Sequence, residues 1–324
     1  MEFSFIVLLI VNLIIFKNEG LFYKLFGLYD FPDEKRKIHK IPISLAGGFI
    51  VLINFVIGSI IVINENVIQN HLLIIFFSIL FYLVGYFDDK NNIKPLKKTF
   101  LNILLISTFL IISEYFILEN LKSLYFSNLI SLNNYSLLFT VFCFISFLNA
   151  LNMYDGINGQ SGIYLLFLFI YLLIICKNLF FIILILPIIL FIYLNFRNKC
   201  FFGNSGINFM SFIVFVFFVN TYHLGYFKSI DEILILMLLP GIEMARLFFF
   251  RMSKLQSPFM ADNQHLHHLL LKFFDSRNVV IITSLFSITP IFLFNFFDFS
   301  YWVILILLFV YFCTIIFLQK KIKS

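Results

Sequence analysis

Two adjacent aspartates, Asp88 and Asp89, end the apolar run FYLVGYF and stand before the lysine-rich segment KNNIKPLKK. Paired carboxylates can bind Mg²⁺, or one of them can act as a base. Neighbouring lysines suit a site that handles diphosphates, because their ammonium groups bind phosphate as point charges. The alternative is an ordinary solvated helix end, so the other motifs must decide between the two.

The segment NALNMYDGINGQSG (149–162) has Asn149, Asn152 and Asp155 at every third position. On a helix this spacing puts the three side chains on one broad face. A polar face at the end of an apolar span is costly in lipid and normally faces a site within the protein. Oxygen-rich side chains favour a hard cation that also holds substrate phosphates, and the alternative is a flexible glycine-rich turn.

Three of the six histidines, His265, His267 and His268, crowd into the segment RMSKLQSPFMADNQHLHHLL (251–270). A histidine cluster can bind a metal, but no Cys or obvious fourth ligand is near, which disfavours zinc. The imidazoles and Arg246 could equally hold the phosphates of a nucleotide. An exposed loop without function is the less favoured interpretation.

Two further polar segments carry weaker signals. In NFRNKCFFGNSG (195–206) the final GNSG is typical of a turn, and backbone N–H groups at the helix start that follows would attract phosphate. In YDFPDEKRKIHKIPISLAGG (29–48) His39 lies in a basic run that could simply set membrane topology. The glycine pair at the end of that segment allows close helix packing.

The composition defines the elements that must position these residues. Of the 324 residues, 61% are hydrophobic and only 12% are charged. Soluble domains are about 45–50% apolar and about 25% charged, so the chain is predicted to be an all-α, polytopic membrane helix bundle with one domain over 1–324. The four cysteines lie far apart and indicate neither a metal site nor a disulfide framework.

Eleven apolar stretches are candidates for spans, and ten spans is the alternative. The first lacks the features of a cleaved signal peptide and is expected to be retained. The stretches are 2–16, 43–63, 70–87, 99–117, 135–153, 160–176, 178–196, 206–222, 229–250, 279–297 and 301–319.

Loop charge predicts the orientation, because Lys and Arg collect on the cytoplasmic side. With the N-terminus outside and the C-terminus cytoplasmic, only Lys122, Lys177 and Lys228 of the 23 basic residues fall outside. All five polar segments then share the cytoplasmic face, which indicates one composite site. The net charge of +6 is mostly this topology signal and does not indicate nucleic-acid binding.

Together the five segments resemble the polyprenyl-phosphate N-acetylhexosamine-1-phosphate transferases over about residues 27–270. Asp88 and Asp89 resemble the family's aspartate pair at the end of a span, and Lys98 resembles the lysine that follows this pair. The segment SPFMADNQHLHHLL is similar to the histidine element of the branch that initiates O-antigen, enterobacterial common antigen and teichoic acid linkage units. The first segment matches at Asp30, Pro32, Arg36, Lys37, His39, Pro42, Gly47 and Gly48.

The resemblance implies transfer of a sugar 1-phosphate from a UDP-N-acetylhexosamine to a polyprenyl phosphate at the cytoplasmic face of the inner membrane, with release of UMP. It implies Mg²⁺, with Mn²⁺ as the alternative, and leaves a homodimer open. Asp88 would deprotonate the lipid phosphate, Asp89 would support or orient the site, and Asp155 would line it. The remaining residues with implied roles are Asn152 and Asn204 for the metal, Asn158 for uridine, and Lys98, Arg246, His265, His267 and His268 for the diphosphate or sugar.

Four positions depart from the family pattern. Asn204 and Asn158 stand where Asp is usual, Ile207 replaces a Ser, and Glu243 stands where Asp is frequent. An active variant, weakened metal binding and an inactive scaffold are the three explanations, and the retained Asp88 and Asp155 favour the first. A transporter would need charged residues at mid-membrane and inverted repeats, and the sequence has neither.

Overall fold

The computed structural model describes residues 2–32, 41–61, 70–124, 129–258, 262–297 and 300–323, and most of them are helical. Helices are the expected form of apolar runs in lipid, because a helix satisfies its own backbone hydrogen bonds. The α-helices of the described residues are α1 (Glu2–Lys17), α2 (Glu19–Phe26), α3 (Gly47–Ile61), α4 (His71–Asn91), α5 (Pro95–Ile112), α6 (Ser136–Tyr154), α7 (Gln160–Cys176), α8 (Ile182–Phe196), α9 (Gly203–His223), α10 (Ile230–Leu236), α11 (Leu238–Ser253), α12 (Leu266–Leu270), α13 (Ser276–Phe297) and α14 (Ser300–Lys323).

Each apolar stretch predicted from the sequence overlaps one of these helices or a bent pair of them, although the stretch 43–63 becomes helical only at Gly47. Among the described residues, seven helices are long and apolar enough to cross a membrane, and two bent pairs raise the number to nine. Helices α3 and α7 are apolar but shorter. The prediction of an all-α polytopic membrane protein is confirmed, whereas eleven spans stay a prediction.

Two apolar segments are sharply bent rather than continuous. Helices α1 and α2 meet at 84°, and α10 and α11 meet at 71°. The sequence predicts the second pair as one continuous stretch, 229–250. Pro240 explains the break, because its ring clashes with the carbonyl four residues earlier, at Leu236, where α10 ends. Helix α11 therefore starts anew after Met237, and it carries Glu243 and Arg246.

Helix α9 forms the centre of the bundle. Nearly all of its side chains are buried, and it packs against α3, α4 and α6. A Cβ atom on Gly48 would lie 2.3 Å from the Cα atom of Gly206, and one on Gly85 would lie 2.3 Å from the backbone oxygen of Asn204. Glycine permits these approaches, which bring the polar ends of α4 and α9 together.

Two short antiparallel ladders accompany the helices. The first ladder is hydrogen-bonded to the loop before α9. The backbone nitrogen of Phe201 donates to the oxygen of Ser44 at 2.8 Å, and the nitrogen of Gly47 donates to the oxygen of Phe201 at 2.9 Å. The start of α3 is thereby fixed beside the start of α9. The ladders pair β1 (Tyr29–Asp30) with β2 (Ile43–Ser44) and β3 (Asn120–Leu121) with β4 (Ile130–Ser131).

Candidate active site

The carboxylate of Asp89 caps the N-terminus of α9. Its Oδ1 accepts a hydrogen bond from the backbone nitrogen of Asn204 at 2.8 Å, and its Oδ2 accepts one from the backbone nitrogen of Ser205 at 3.0 Å. Gly203 starts the helix with φ +70°, and a Cβ there would lie 2.7 Å from Oδ2 of Asp89. The first amides of a helix lack partners within it and attract negative charge. These amides, expected from the sequence to attract phosphate, thus bind a carboxylate of the chain itself.

Asp88, the other member of the pair, binds a lysine. Its Oδ2 lies 2.8 Å from Nζ of Lys98, and both side chains are largely buried. The same Nζ donates to Oδ1 of Asn204 at 2.7 Å, while Nδ2 of Asn204 donates to Oδ1 of Asp89 at 3.0 Å. A continuous polar chain therefore runs from Asp88 through Lys98 and Asn204 to Asp89 and joins α4, α5 and α9.

Asp155 brings a third carboxylate close to this chain. It follows the last residue of α6, and its Oδ1 accepts a hydrogen bond from the hydroxyl of Ser161 in α7. Burial raises the pKa of Asp155 to about 6, and the charge of Asp89 raises it as well, although the hydrogen bond from Ser161 lowers it. Carboxylates from two separate motifs thus interact within one site.

Asn195 ties the loop after Asp155 to the loop before α9. Its Oδ1 accepts from the backbone nitrogen of Gly159 at 2.6 Å, and its Nδ2 donates to the oxygen of Cys200 at 2.8 Å. Beside it, Nδ2 of Asn158 donates to Oδ1 of Asn198 at 2.6 Å. Side-chain amides, which can donate and accept hydrogen bonds at once, therefore hold the two loops next to each other.

The remaining polar residues of the second segment lie in the last turns of α6. Asn152 is half-buried one turn before Asp155, and Asn149 is half-buried with its Nδ2 donating to the oxygen of Ile145 at 2.8 Å. Their predicted roles stay predictions. His39 lies outside the described residues.

The histidine segment packs against the loop that begins with Asp155. A Cβ atom on Gly156 would lie 2.0 Å from Nε2 of His267, so the imidazole lies directly on the loop backbone. The rings of His265 and His267 stack with centroids 5.2 Å apart, and that of His268 is 4.4 Å from that of His267. Among the residues that the structure describes, no group of three or more His, Cys, Asp or Glu side chains is placed to hold a metal ion.

Burial sets the charge of two of these histidines. It lowers the pKa of His265 to about 4 even though Glu243 and Asp262 raise it, and it lowers the pKa of His267 as well. Both imidazoles are therefore neutral near pH 7 in the substrate-free protein. Neutral rings can still donate one hydrogen bond each, and a bound phosphate would favour their protonation.

A buried network around Glu243 supports the histidine segment from behind. Oε1 of Glu243 accepts from the backbone nitrogen of Leu266 at 2.7 Å and from Nη2 of Arg246 at 2.8 Å. Arg246 also donates to the oxygen of Gln264 at 2.7 Å and to the hydroxyl of Tyr311 at 2.6 Å. The Tyr311 hydroxyl in turn donates to Glu243. Arg246, predicted to bind the nucleotide, thus also holds the chain on which the histidines stand.

A second arginine anchors the same segment. Nε of Arg251 donates to Oδ2 of Asp262 at 2.8 Å, and Nη1 donates to the oxygen of Pro258 at 2.6 Å. The hydrogen bonds from Arg251 and from the backbone of Gln264 lower the pKa of Asp262, outweighing the opposing effect of its burial. The ion pair is therefore present at neutral pH.

Sequence reasoning missed Asn195 and Tyr311 as supporting residues and noted Glu243 only as a departure from a motif. Glu243 did carry a signal, because an acid in an apolar stretch three residues before Arg246 is typical of an internal ion pair on a helix. Tyr311 carried none, since tyrosines are common in the apolar helices of membrane proteins.

The assembled groups suit phosphoryl transfer between two anions. Asp88 is a candidate base beside a lysine, and the neutral imidazoles and Lys98 are donors for phosphate oxygens. The oxygen donors of Asp155, Asn152 and Asp89 are of the kind that Mg²⁺ prefers, and a cation would relieve the repulsion that helps to raise the pKa of Asp155. The chemistry of these oxygen donors, rather than a preformed cluster of ligands among the described residues, suits a hard divalent cation.

Comparison with known proteins agrees with this chemistry. The model of the family described as glycosyl transferase family 4 matches residues 71–222, which include Asp88, Asp155 and Asn204.

The curated relatives share one name, undecaprenyl-phosphate alpha-N-acetylglucosaminyl 1-phosphate transferase. The protein of Yersinia pestis is 26% identical over 285 residues, which cover 80% of this chain and 74% of that protein. The protein of Escherichia coli K12 is 26% identical over 303 residues, which cover 85% of this chain and 79% of that protein. The protein of Salmonella typhimurium is 26% identical over 276 residues, with coverages of 80% and 73%.

Proposed function

From the match to glycosyl transferase family 4 and the similarity to its polyprenyl-phosphate hexosamine-1-phosphate transferases, we propose that the chain is a member of this family and starts the synthesis of a lipid-linked surface glycan. It transfers a hexosamine 1-phosphate from a nucleotide sugar to undecaprenyl phosphate. The observation that carries this assignment is the contact of the Asp88–Asp89 pair and Lys98 with Asn204, since two segments of the family match and three helices meet there around charged groups.

The donor is a UDP-N-acetylhexosamine, and the name of the relatives makes N-acetylglucosamine the first candidate. A phosphate oxygen of undecaprenyl phosphate attacks the β-phosphorus of the donor, and the bond to the bridging oxygen breaks. UMP leaves, and the lipid retains the new diphosphate linked to the sugar. Attack without a covalent enzyme intermediate is the simpler route, because it needs only positioning and charge stabilisation.

Asp88 is the residue that accepts a proton from the lipid phosphate, because its carboxylate is not committed to a helix cap as that of Asp89 is. Lys98 lies next to it and would hold a phosphate oxygen. Asp89 supports this arrangement as the cap of α9. Asn158 lies at the loop beside Asn195 and would contact uridine, and His265, His267 and His268 would hold the diphosphate or the sugar.

The proposed cofactor is Mg²⁺, with Mn²⁺ as the alternative. Asn152 and Asn204 are the residues that would hold it, Asp155 would line the same site, and Asn149 lies one turn from Asn152. When bound, the metal would neutralise phosphate charge as the two reactants approach. The half-buried carboxylates of Asp89 and Asp155, which repel each other, support a cation there.

The proposed topology has eleven spans in the inner membrane, with the site facing the cytoplasm. The nine spans allowed by length and bending, together with the shorter apolar helices α3 and α7, make up this number. Lysine and arginine lie mainly on the same side as the site motifs, which supports the orientation. A homodimer is compatible with this arrangement and is tested by the mass of the detergent-solubilised protein.

The decisive experiment is a donor panel with purified protein in detergent and undecaprenyl phosphate. We expect one UDP-N-acetylhexosamine to give UMP and a lipid-linked sugar in equal amounts, and EDTA to abolish both. Failure of every donor of this class, with the protein folded, would leave the catalytically impaired scaffold as the surviving alternative. Uptake of a solute into proteoliposomes independent of Asp88 would favour a transporter.

A further inference from the structure

The side chain of Asn204 uses both ends of its amide between two charged groups. Oδ1 accepts from Nζ of Lys98 at 2.7 Å, and Nδ2 donates to Oδ1 of Asp89 at 3.0 Å. Only an amide in this orientation satisfies both neighbours, because an ammonium can only donate and an ionised carboxylate can only accept. Asn204 therefore links α5 to α4 from its place at the first turn of α9.

An aspartate at position 204, which the family resemblance leads one to expect, could not make this link. One of its oxygens would replace Nδ2 and would lie at about 3 Å from Oδ1 of Asp89, so that two carboxylates would meet without a proton between them. Such a pair requires a cation or an added proton.

The asparagine thus supplies internally what a cation would otherwise supply. Asp88, Lys98, Asn204 and Asp89 alternate acceptor and donor, and the two negative charges are separated by an ammonium and an amide. Asp89 also accepts hydrogen bonds from two backbone N–H groups of α9, so a continuous set of ion pairs and hydrogen bonds links α4, α5 and α9 at this end.

We propose that Asn204 keeps this site assembled without a resident divalent cation, so that the metal enters together with the nucleotide diphosphate instead of binding first. The proposal rests on the proposed function for the identity of that nucleotide. Asn204 is thus a positioning residue. It holds α4, α5 and α9 together without a cation, and in return the site binds a metal only weakly before the nucleotide is present.

The test measures thermal unfolding of the purified full chain in detergent, with no donor and no lipid acceptor, as Mg²⁺ is added. We expect the melting temperature of the wild-type protein to be nearly independent of Mg²⁺. Asn204→Asp should melt several degrees lower without the metal and recover most of that loss when Mg²⁺ is added, because ligand binding to the folded state stabilises it.

The matched control is Asn91→Asp, at an exposed position two residues from Asp89. It adds the same charge at the exposed C-terminal end of α4, near Asp89, without replacing an amide between two charged partners. We expect its melting temperature to respond to Mg²⁺ as the wild-type protein does. A response as large as that of Asn204→Asp would assign the effect to general attraction of the cation and would overturn the proposal.

Direct binding of Mn²⁺, followed by electron paramagnetic resonance, decides the matter even if Asn204→Asp does not fold. We expect the wild-type protein to bind Mn²⁺ weakly alone and much more tightly when UDP is present. Tight binding to the wild-type protein without nucleotide would overturn the proposal. Neither measurement requires turnover, so failure of the proposed transferase activity would be recognised separately, by the absence of UMP in the donor panel.

Discussion

Asp88 and Asp89 are neighbours in the sequence, yet their carboxylates bind different parts of the protein. Asp88 pairs with Lys98 at 2.8 Å, whereas Asp89 accepts hydrogen bonds from the backbone of α9, 115 residues further along the chain. Consecutive residues on a helix point about 100° apart, so a pair at the end of α4 can face two neighbours. Asp88 is the candidate for the chemical step, whereas Asp89 stabilises the fold. Substitutions of the two residues are therefore expected to have different effects.

Replacement of Asp88 by Asn should remove activity and leave the fold intact. The amide cannot accept the proton of the lipid phosphate, and loss of general base catalysis typically costs about 10²- to 10⁴-fold in rate. We expect UMP release to fall within this range, while the melting temperature stays within a few degrees of wild type. A variant with near-normal kcat would exclude Asp88 as the base.

Replacement of Asp89 by Ala should mainly lower the stability of the fold, and any loss of activity should follow from that. Two backbone N–H groups and the amide of Asn204 would lose their acceptor, at a cost of about 1–3 kcal/mol for buried donors left without a partner. The expected result is a clearly lower melting temperature in detergent, with reduced activity as a consequence. Equal stability of Asp89→Ala and Asp88→Asn would contradict the assignment of Asp89 as the cap of α9.

Gly156→Ala should displace the imidazole of His267. The added Cβ would lie 2.0 Å from Nε2, so either the ring or the loop must move. Because His267 is proposed to hold the donor, we expect KM for the UDP-sugar to rise several-fold. Gly20→Ala is the control, since no atom lies within 4 Å of a Cβ there. If both variants bind donor like the wild-type protein, His267 does not depend on this contact for its role.

Tyr311→Phe tests the support of the histidine segment by the C-terminal helix. The ring remains, but Glu243 and Arg246 lose a buried hydroxyl partner, which costs about 1–3 kcal/mol. We expect a lower melting temperature and a higher KM for the donor, with a smaller change in kcat. The exposed Tyr135 provides a control substitution of the same type. An unchanged KM together with lower stability would show that the network is structural only.

Acidification should destabilise the protein through His265. Burial lowers its pKa to about 4 in the folded state, against about 6.5 in the unfolded chain. The folded state therefore binds fewer protons between these values, and the stabilising effect of a neutral His265, complete above pH 6.5, is lost as the pH falls toward 4. Asp155 acts in the opposite direction, because its pKa is raised to about 6.

The measurement for this prediction is the difference in melting temperature between His265→Gln and the wild-type protein, taken at several pH values. Since the variant keeps every other titrating group, the contribution of Asp155 cancels in the difference. We expect the difference to shift in favour of the variant between pH 7 and pH 5. A constant difference would mean that His265 keeps an ordinary pKa in the folded protein.

The helices could be predicted from the sequence because the extent of each helix follows from the length of its own apolar run. The meeting of the polar segments could also be anticipated, since groups such as Asp155 are costly in lipid unless they face a common site. The cap on α9 could not, because nothing near Asp89 specifies a helix end 115 residues away. The role of Tyr311 was equally hidden, as its partner Glu243 is 68 residues distant.

The asparagine at 204 shows a different limit. The resemblance identified it as a departure from an expected acid, and its consequence depends on Lys98 and Asp89 lying on either side of it. The bend before α11 is the opposite case, since Pro240 was visible in the sequence and predicts a break three to four residues earlier.

The fit of Gly48 against Gly206, and of Gly85 against the start of α9, has a consequence for biosynthesis. A ribosome delivers α3 and α4 to the membrane long before residue 206 exists, so their closest neighbour is still unmade. Contacts this distant in sequence form only after the intervening loops have closed. The residues of the candidate site therefore come together late, when α9 packs between helices already in the bilayer. A nascent chain that ends before Phe202 leaves Asp89 without the amides that it caps.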